Sequence, residues 1–195
     1  DPSGSDPGSG ENDWEWIEVY NLTDSPITLH TLLDGDLNTV ANLTGRIVPA
    51  KDTRVIAKPN QTWWQLSQLL TEWSPLASAS VLQLSAVPYL TGAPKLGNSG
   101  DTLRIFDSTG ALLDMVHYEN GVNNWSLSND RASIYLRAGR FGTLANDNGQ
   151  NWSISLAGSN GAWATPDDAG DPLDSDIGSP AIVPSGATSL PPVAS

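Results

Sequence analysis

Short apolar stretches that alternate residue by residue with polar ones, each closed by turn formers, run through this chain from Trp16 to Leu156. A period of two is the signature of a strand with one buried face. In Trp16–Tyr20, Ile17 and Val19 share one face while Trp16, Glu18 and Tyr20 take the other. The same reading gives Ile27–Leu33, with Ile27, Leu29 and Leu33 on one face, then Arg54–Ala57 and Val81–Val87. It continues with Thr102–Phe106, Ala111–Tyr118, Ser133–Leu136 and Trp152–Leu156, where Trp152, Ile154 and Leu156 alternate with Ser153 and Ser155. Asp107-Ser108-Thr109-Gly110 supplies turn chemistry between two of these runs, so they are expected to form a β-hairpin. Short strands joined by tight turns, in a chain with 18 glycines and 14 prolines, predict an all-β sandwich.

One segment departs from this period. In Thr62–Trp73, the residues Trp63, Leu66, Leu70 and Trp73 fall on one helical stripe, Thr62 and Gln65 match a capping box, and Ser74-Pro75 ends the run. A short helix covering a sheet edge or barrel end is expected there. The first twelve residues and the last fifteen, 181–195, are rich in turn formers and small residues and read as tails without a core of their own.

Charge narrows the partners. The net charge is −13, which argues against a nucleic-acid backbone or an anionic membrane. Residues 1–45 carry nine acids and no Lys or Arg, residues 46–140 carry seven acids and all nine bases, and residues 141–195 carry six acids and no base. Acidic ends thus flank a weakly basic middle, a distribution that serves solubility and could also draw copies together head to tail. No apolar run approaches the roughly 20 residues needed to span a bilayer, so membrane insertion is not expected. Without cysteine, neither disulfides nor thiolate metal sites contribute. The opening Asp1-Pro2-Ser3-Gly4 lacks a Met or a leader and reads as the start of a mature, exported chain.

Several stretches together resemble the lamin-tail domain family in its bacterial and archaeal extracellular form. Glu15-Trp16-Ile17-Glu18-Val19-Tyr20-Asn21 followed by Ser25-Pro26-Ile27-Thr28-Leu29 is similar to that family's opening strand pair. Leu96-Gly97-Asn98-Ser99-Gly100-Asp101-Thr102-Leu103-Arg104-Ile105-Phe106-Asp107 is similar to its central motif. The stretch Gly110–Tyr118, Ser133-Ile134-Tyr135-Leu136, Asn151-Trp152 and Asp176-Ile177-Gly178-Ser179-Pro180 resemble later landmarks. The family's Gly-Trp after the second strand is missing, and residues 59–95 look like an insertion. The resemblance covers residues 13–180 and implies an immunoglobulin-like β-sandwich, here with one short helical insertion. In that family such domains are non-catalytic modules of exported and surface proteins, with no catalytic residues to carry over.

Candidate chemistry is sparse. His30 and His117 are the only histidines and each sits in a strand, where a structural or exposed role is the plainer reading. Glu15 and Glu18, three apart in a strand, face opposite sides and make a poor glycosidase pair. Asp34-Gly35-Asp36-Leu37-Asn38 starts like an EF-hand loop, but Thr39 stands where Gly is wanted and Gly45 where Glu is wanted. Asp167, Asp168, Asp171, Asp174 and Asp176 form a denser acidic cluster whose hard oxygens suit Ca²⁺, although plain solvation explains them equally well. Asn21, Asn42, Asn60, Asn124 and Asn151 head N-x-S/T sequons, a weak signal in a chain this rich in Ser and Thr.

The eight tryptophans offer a sharper choice. Trp16, Trp125 and Trp152 are expected to pack in or beside the sheets. Trp63, Trp64 and Trp73 cannot all be buried by one helix face and form a candidate surface for a protein or a glycan. The sequence therefore leads to an extracellular, non-catalytic structural or adhesive protein that assembles with itself, into filaments through its tails, or with other surface proteins. The alternative is a carbohydrate-binding module or an accessory domain of a secreted enzyme. No cofactor is required on this reading.

Overall fold

The computed structural model describes residues 16–57, 81–83, 99–125, 132–164, 177–178 and 182. The expected helix, the N-terminal tail, the C-terminal tail apart from Ile182, Trp63, Trp64, Trp73, Asn60 and the Asp167–Asp176 cluster lie outside the described residues. The chain is an all-β sandwich. Its first sheet has the order β1-β5-β6, from β1 (Trp16–Tyr20), β5 (Thr53–Ala57) and β6 (Val81–Gln83). Its second is built on β2 (Ile27–Leu33), which pairs with β7 (Gly100–Asp107) on one side and with β3 (Thr39–Asn42) and β4 (Ile47–Val48) on the other. Strand β8 (Leu112–Glu119) completes it beyond β7. Two short ribbons follow: β9 (Ile134–Leu136) with β10 (Trp152–Ile154), and β11 (Trp163–Ala164) with β12 (Ile177–Gly178).

The apolar alternation explains why two sheets form one core. Buried Leu29, Leu32, Ala41, Leu43 and Val48 from the second sheet and its turns meet Ile56 of the first, with Ile17, Val19, Leu103 and Ile105 packed around them. Each fully buried leucine of this kind stabilises the fold by about 1.5–3 kcal/mol through removal of apolar surface from water. Ile17 and Val19 share the inner face, as their spacing predicts.

The edge next to β2 is one strand broken in the middle. Leu43 N–H donates to the His30 carbonyl and Leu29 N–H to the Arg46 carbonyl, both at 2.8 Å, while Arg46 N–H closes a turn on Leu43. Gly45, at φ 76°, supplies the left-handed residue that this turn requires. The break drops Leu43 wholly into the core. Asn21 fastens the neighbouring corner. Its Nδ2 donates to the carbonyls of Ser25, Val48 and Pro49, and its Oδ1 accepts from the backbone and hydroxyl of Thr23.

Two sequence expectations need correction. Leu29 shares the core with Leu32, not Leu33, because the β2–β7 pairing shifts register between Leu29 and Thr31 and so changes which parity faces inward. In the strand expected over Trp152–Leu156, β10 ends at Ile154: Ser155 turns inward to meet the Ser133 hydroxyl at 2.9 Å, and Leu156 is exposed. Within the expected strand Val81–Val87, Val81–Gln83 pairs in parallel with Val55–Ala57. The β7–β8 hairpin forms as expected, with Asp107 Oδ1 accepting from the Thr109 hydroxyl and from the N–H groups of Thr109 and Ala111.

Candidate binding surfaces

Beyond β8 the chain builds a polar and aromatic annex onto the sandwich. Tyr118 of β8 meets Trp125 edge-on with centroids 6.2 Å apart, and Trp125 meets Trp152 of β10 at 5.4 Å. This aromatic column ties the β9–β10 ribbon to the second sheet. Gly149 makes the closest approach: its N–H donates to the Asn123 carbonyl, and a Cβ there would collide with the backbone of Asn124 and Trp125. The loop ahead of β10 is pinned by side chains, as Asn151 Nδ2 donates to Ala145 O at 2.7 Å and Trp152 Nε1 to Asn146 O at 2.8 Å.

A groove of about 680 Å³ runs along this annex. Trp125 and Trp152 form its aromatic side, Gln150 and Asn151 add amides, and Arg137 and Arg140 add positive charge, with no acidic residue among the described residues of the lining. Arg137 Nε donates to Ser153 Oγ at 2.6 Å, which ties that guanidinium to β10. Arg140 is exposed and its guanidinium has no partner among the described residues. An indole edge, amides and guanidinium groups together suit a carboxylate-bearing segment or a saccharide.

A second depression, of about 610 Å³, is lined by Gly35, Asp36, Gly100, Asp101, His117 and Glu119 among others. Thr102 Oγ1 lies 2.8 Å from His117 Nδ1, and His117 Nε2 lies 3.6 Å from Glu119 Oε2. The hydroxyl, imidazole and carboxylate occur in triad order. The second distance exceeds hydrogen-bond reach, and both partners are about half exposed, as expected for residues on the outer face of a hairpin. Asp101 is a structural brace here: its Oδ1 accepts from the N–H groups of Thr102 and Gly35.

The third constellation is partly buried. Asp114 stands opposite Ile105, so it lies on the inner face of the second sheet. Burial pushes its carboxyl up to about 6, and neighbouring Asp147 pushes the same way, against the hydrogen bonds from Met115 N–H and Asn146. Asn146, itself 5% exposed, donates from Nδ2 to Asp114 Oδ2 at 2.7 Å. Asn146 Oδ1 and Asp147 Oδ1 are both buried with no hydrogen-bond partner. The sequence analysis did not single out Asp114, whose side-chain partner Asn146 lies 32 positions downstream, where no local pattern marks it.

The residues singled out in the sequence fall in different environments. Asn21 is buried, with its amide held on three carbonyls, so the folded domain does not present it to a glycosylating enzyme. Asn151 is half-buried and bonded to Ala145 O, while Asn42 and Asn124 are exposed. In the EF-hand-like start, Asp34 gives one oxygen to Asn38 N–H and the other to Asn38 Nδ2, closing the β2–β3 turn. His30 is exposed, with Nδ1 3.3 Å from Thr44 Oγ1. No group of three or more His, Cys, Asp or Glu side chains gathers around a common point among the described residues. No helix of the described residues is long and apolar enough to cross a membrane. Comparison with protein-family models, with curated proteins and with solved structures finds no match.

Proposed function

We propose that this chain is a secreted, non-catalytic β-sandwich subunit of a cell surface or extracellular matrix, joined to copies of itself or to other surface proteins. One observation carries the reading: in a chain of net charge −13, Arg137 and Arg140 share an aromatic groove with no acid among the described residues of its lining. The acidic flanks, Asp1–Asp13 and Asp167–Asp176, are the complementary segments within the same sequence. An acidic, Pro- and Gly-containing segment of one copy entering the groove of the next gives a heterologous contact, which grows filaments unless the rotation closes a ring. The lamin-tail resemblance of residues 13–180 agrees with a surface module and rests on the quoted motifs alone.

Light scattering on the size-exclusion eluate tests this reading. Large species at low salt should dissociate as salt screens the contact, and the double variant Arg137→Glu/Arg140→Glu should run near 20.6 kDa. A monomer at every salt concentration, or assembly untouched by the double variant, refutes it. A saccharide is the second reading, favoured by the pairing of Trp152 with Gln150 and Asn151 in one groove. Quenching of tryptophan fluorescence across a sugar panel should then depend on Trp152, and a flat response removes this alternative.

A further inference from the structure

We infer that Asn160 is a self-modification site, where the side-chain amide is lost as ammonia after cyclising onto the Gly161 nitrogen. Asn-Gly steps occur at Asn120-Gly121, Asn148-Gly149 and Asn160-Gly161. In such a step the backbone nitrogen of glycine, unhindered by a side chain, attacks the asparagine Cγ and closes a five-membered succinimide. The N–Cγ bond forms, the Cγ–Nδ2 bond breaks, and the proton from the glycine nitrogen leaves with the amide as ammonia. Water then opens the ring at either carbonyl, giving aspartate or, with the backbone rerouted through Cβ, isoaspartate. Water is the one co-reactant. The step also needs a glycine nitrogen free to shed its proton.

The fold treats the three steps differently. Gly121 N–H donates to the Trp125 carbonyl and Gly149 N–H to the Asn123 carbonyl, both at 3.0 Å, so each of these nucleophiles is engaged. Asn148 is held further, because its Oδ1 accepts from Gln150 N–H and Gly149 is buried against the backbone of Asn124 and Trp125. Gly161 N–H, by contrast, makes no hydrogen bond among the described residues, and both Asn160 and Gly161 are exposed. They are the central pair of a turn closed by Ala162 N–H on the Ser159 carbonyl at 2.8 Å, with φ values of 51° and 78°. Two left-handed residues in succession suit a type I′ turn, which favours asparagine followed by glycine. The change would act on two contacts. Asn160 Nδ2 donates to the Tyr135 hydroxyl at 2.8 Å, which ties the turn to β9, and loss of the amide removes that donor. Isoaspartate also lengthens the backbone of a turn on which Ile182 packs so closely that a Cβ on Gly161 would stand 2.7 Å from its Cγ2. The modified turn thus loosens from β9 and from Ile182, irreversibly. The site is separate from the groove and does not rest on the assembly reading.

The test is timed incubation of the full chain in mildly alkaline buffer, followed by peptide mapping with mass spectrometry. Asn160 should gain the acid mass first, with Asn120 and Asn148 slower by about two- to tenfold for each hydrogen bond that must open beforehand. In denaturant the three rates should converge, because the glycine N–H groups are then equally free. Asn160→Gly keeps the left-handed turn and has no amide to lose, so the acidic isoform on isoelectric focusing should form more slowly in that variant. Hydrogen exchange at the Ala162 amide should quicken as the parent ages and stay constant in Asn160→Gly. Equal rates at the three asparagines in the folded chain, or a slower reaction at Asn160 than at either of the others, would overturn the assignment. So would an order of rates that persists in denaturant, since local sequence and not the fold would then set it, or an acidic isoform that forms as fast in Asn160→Gly.

Discussion

The core between the two sheets and the annex beyond β8 are made from opposite materials. Between the sheets, leucine, valine and isoleucine side chains carry the packing, and Leu43 is wholly enclosed. In the annex, indoles, amides and carboxylates carry the packing, and the buried polar atoms at Trp125 Nε1, Asn146 Oδ1 and Asp147 Oδ1 lack partners. An apolar core gains stability from burial in proportion to area and asks little of orientation. A polar annex gains little net stability per hydrogen bond and loses heavily for each one left open. Stability is therefore concentrated in the first region, and the unsatisfied polar groups are concentrated in the second.

The contrast can be broken from either side. Leu43→Ala should have the largest effect, because it leaves a cavity at a fully buried position in the broken edge strand. Destabilisation of about 2–5 kcal/mol in chemical denaturation is expected, with the fluorescence of the annex tryptophans unchanged while the protein remains folded. Comparable stability to the parent would show that the break can collapse around the smaller side chain. Gly149→Ala should come next, at about 1–3 kcal/mol, since its Cβ meets backbone that cannot swing aside. Its signature is regional: Trp125 and Trp152 should report a changed environment by fluorescence, while core amides keep their exchange protection. If the core amides weaken equally, the two regions unfold as one unit.

The smallest effect sharpens the comparison through pH. The Thr109 hydroxyl, followed by the Ala111 N–H, holds the Asp107 carboxyl below its ordinary 3.8, against a slight opposing effect of desolvation. A depressed folded value means that this turn's contribution is present above about pH 3.8 and disappears as pH falls through the lower folded value. Hydrogen exchange of the β7–β8 amides should therefore speed up in acid, and Asp107→Asn, which keeps an acceptor but cannot titrate, should flatten that dependence. An unchanged acid response in the variant would move the cause elsewhere.

Legibility in the sequence follows the range of the interactions. The β7–β8 hairpin could be read from Asp107 to Gly110 because every hydrogen bond that closes the turn from Asp107 lies within four residues. The inner positions of Ile17 and Val19 followed from simple alternation. The burial of Leu32 did not, because bulges reset the parity of β2 and are imposed by pairing with β7, about seventy residues away. Trp125 and Trp152 were readable as packing residues, but their union with Arg137 and Arg140 in one groove depends on the β9–β10 pairing and the approach of Gly149.

The sequence by itself determined the class of the fold and the chemistry available to it. Alternating apolar residues and frequent turn formers specify strands, and the absence of cysteine together with two scattered histidines narrows the side chains that could act. The tertiary structure decided which residues stand together. It turned an aspartate within a strand into the partner of Asn146 in a distant loop, and it gathered two arginines and two indoles from separate segments into one groove. The physical reason is the range of the forces: backbone preference and turn closure act over a few residues, whereas the exclusion of water that assembles a site acts between any surfaces the fold brings into contact.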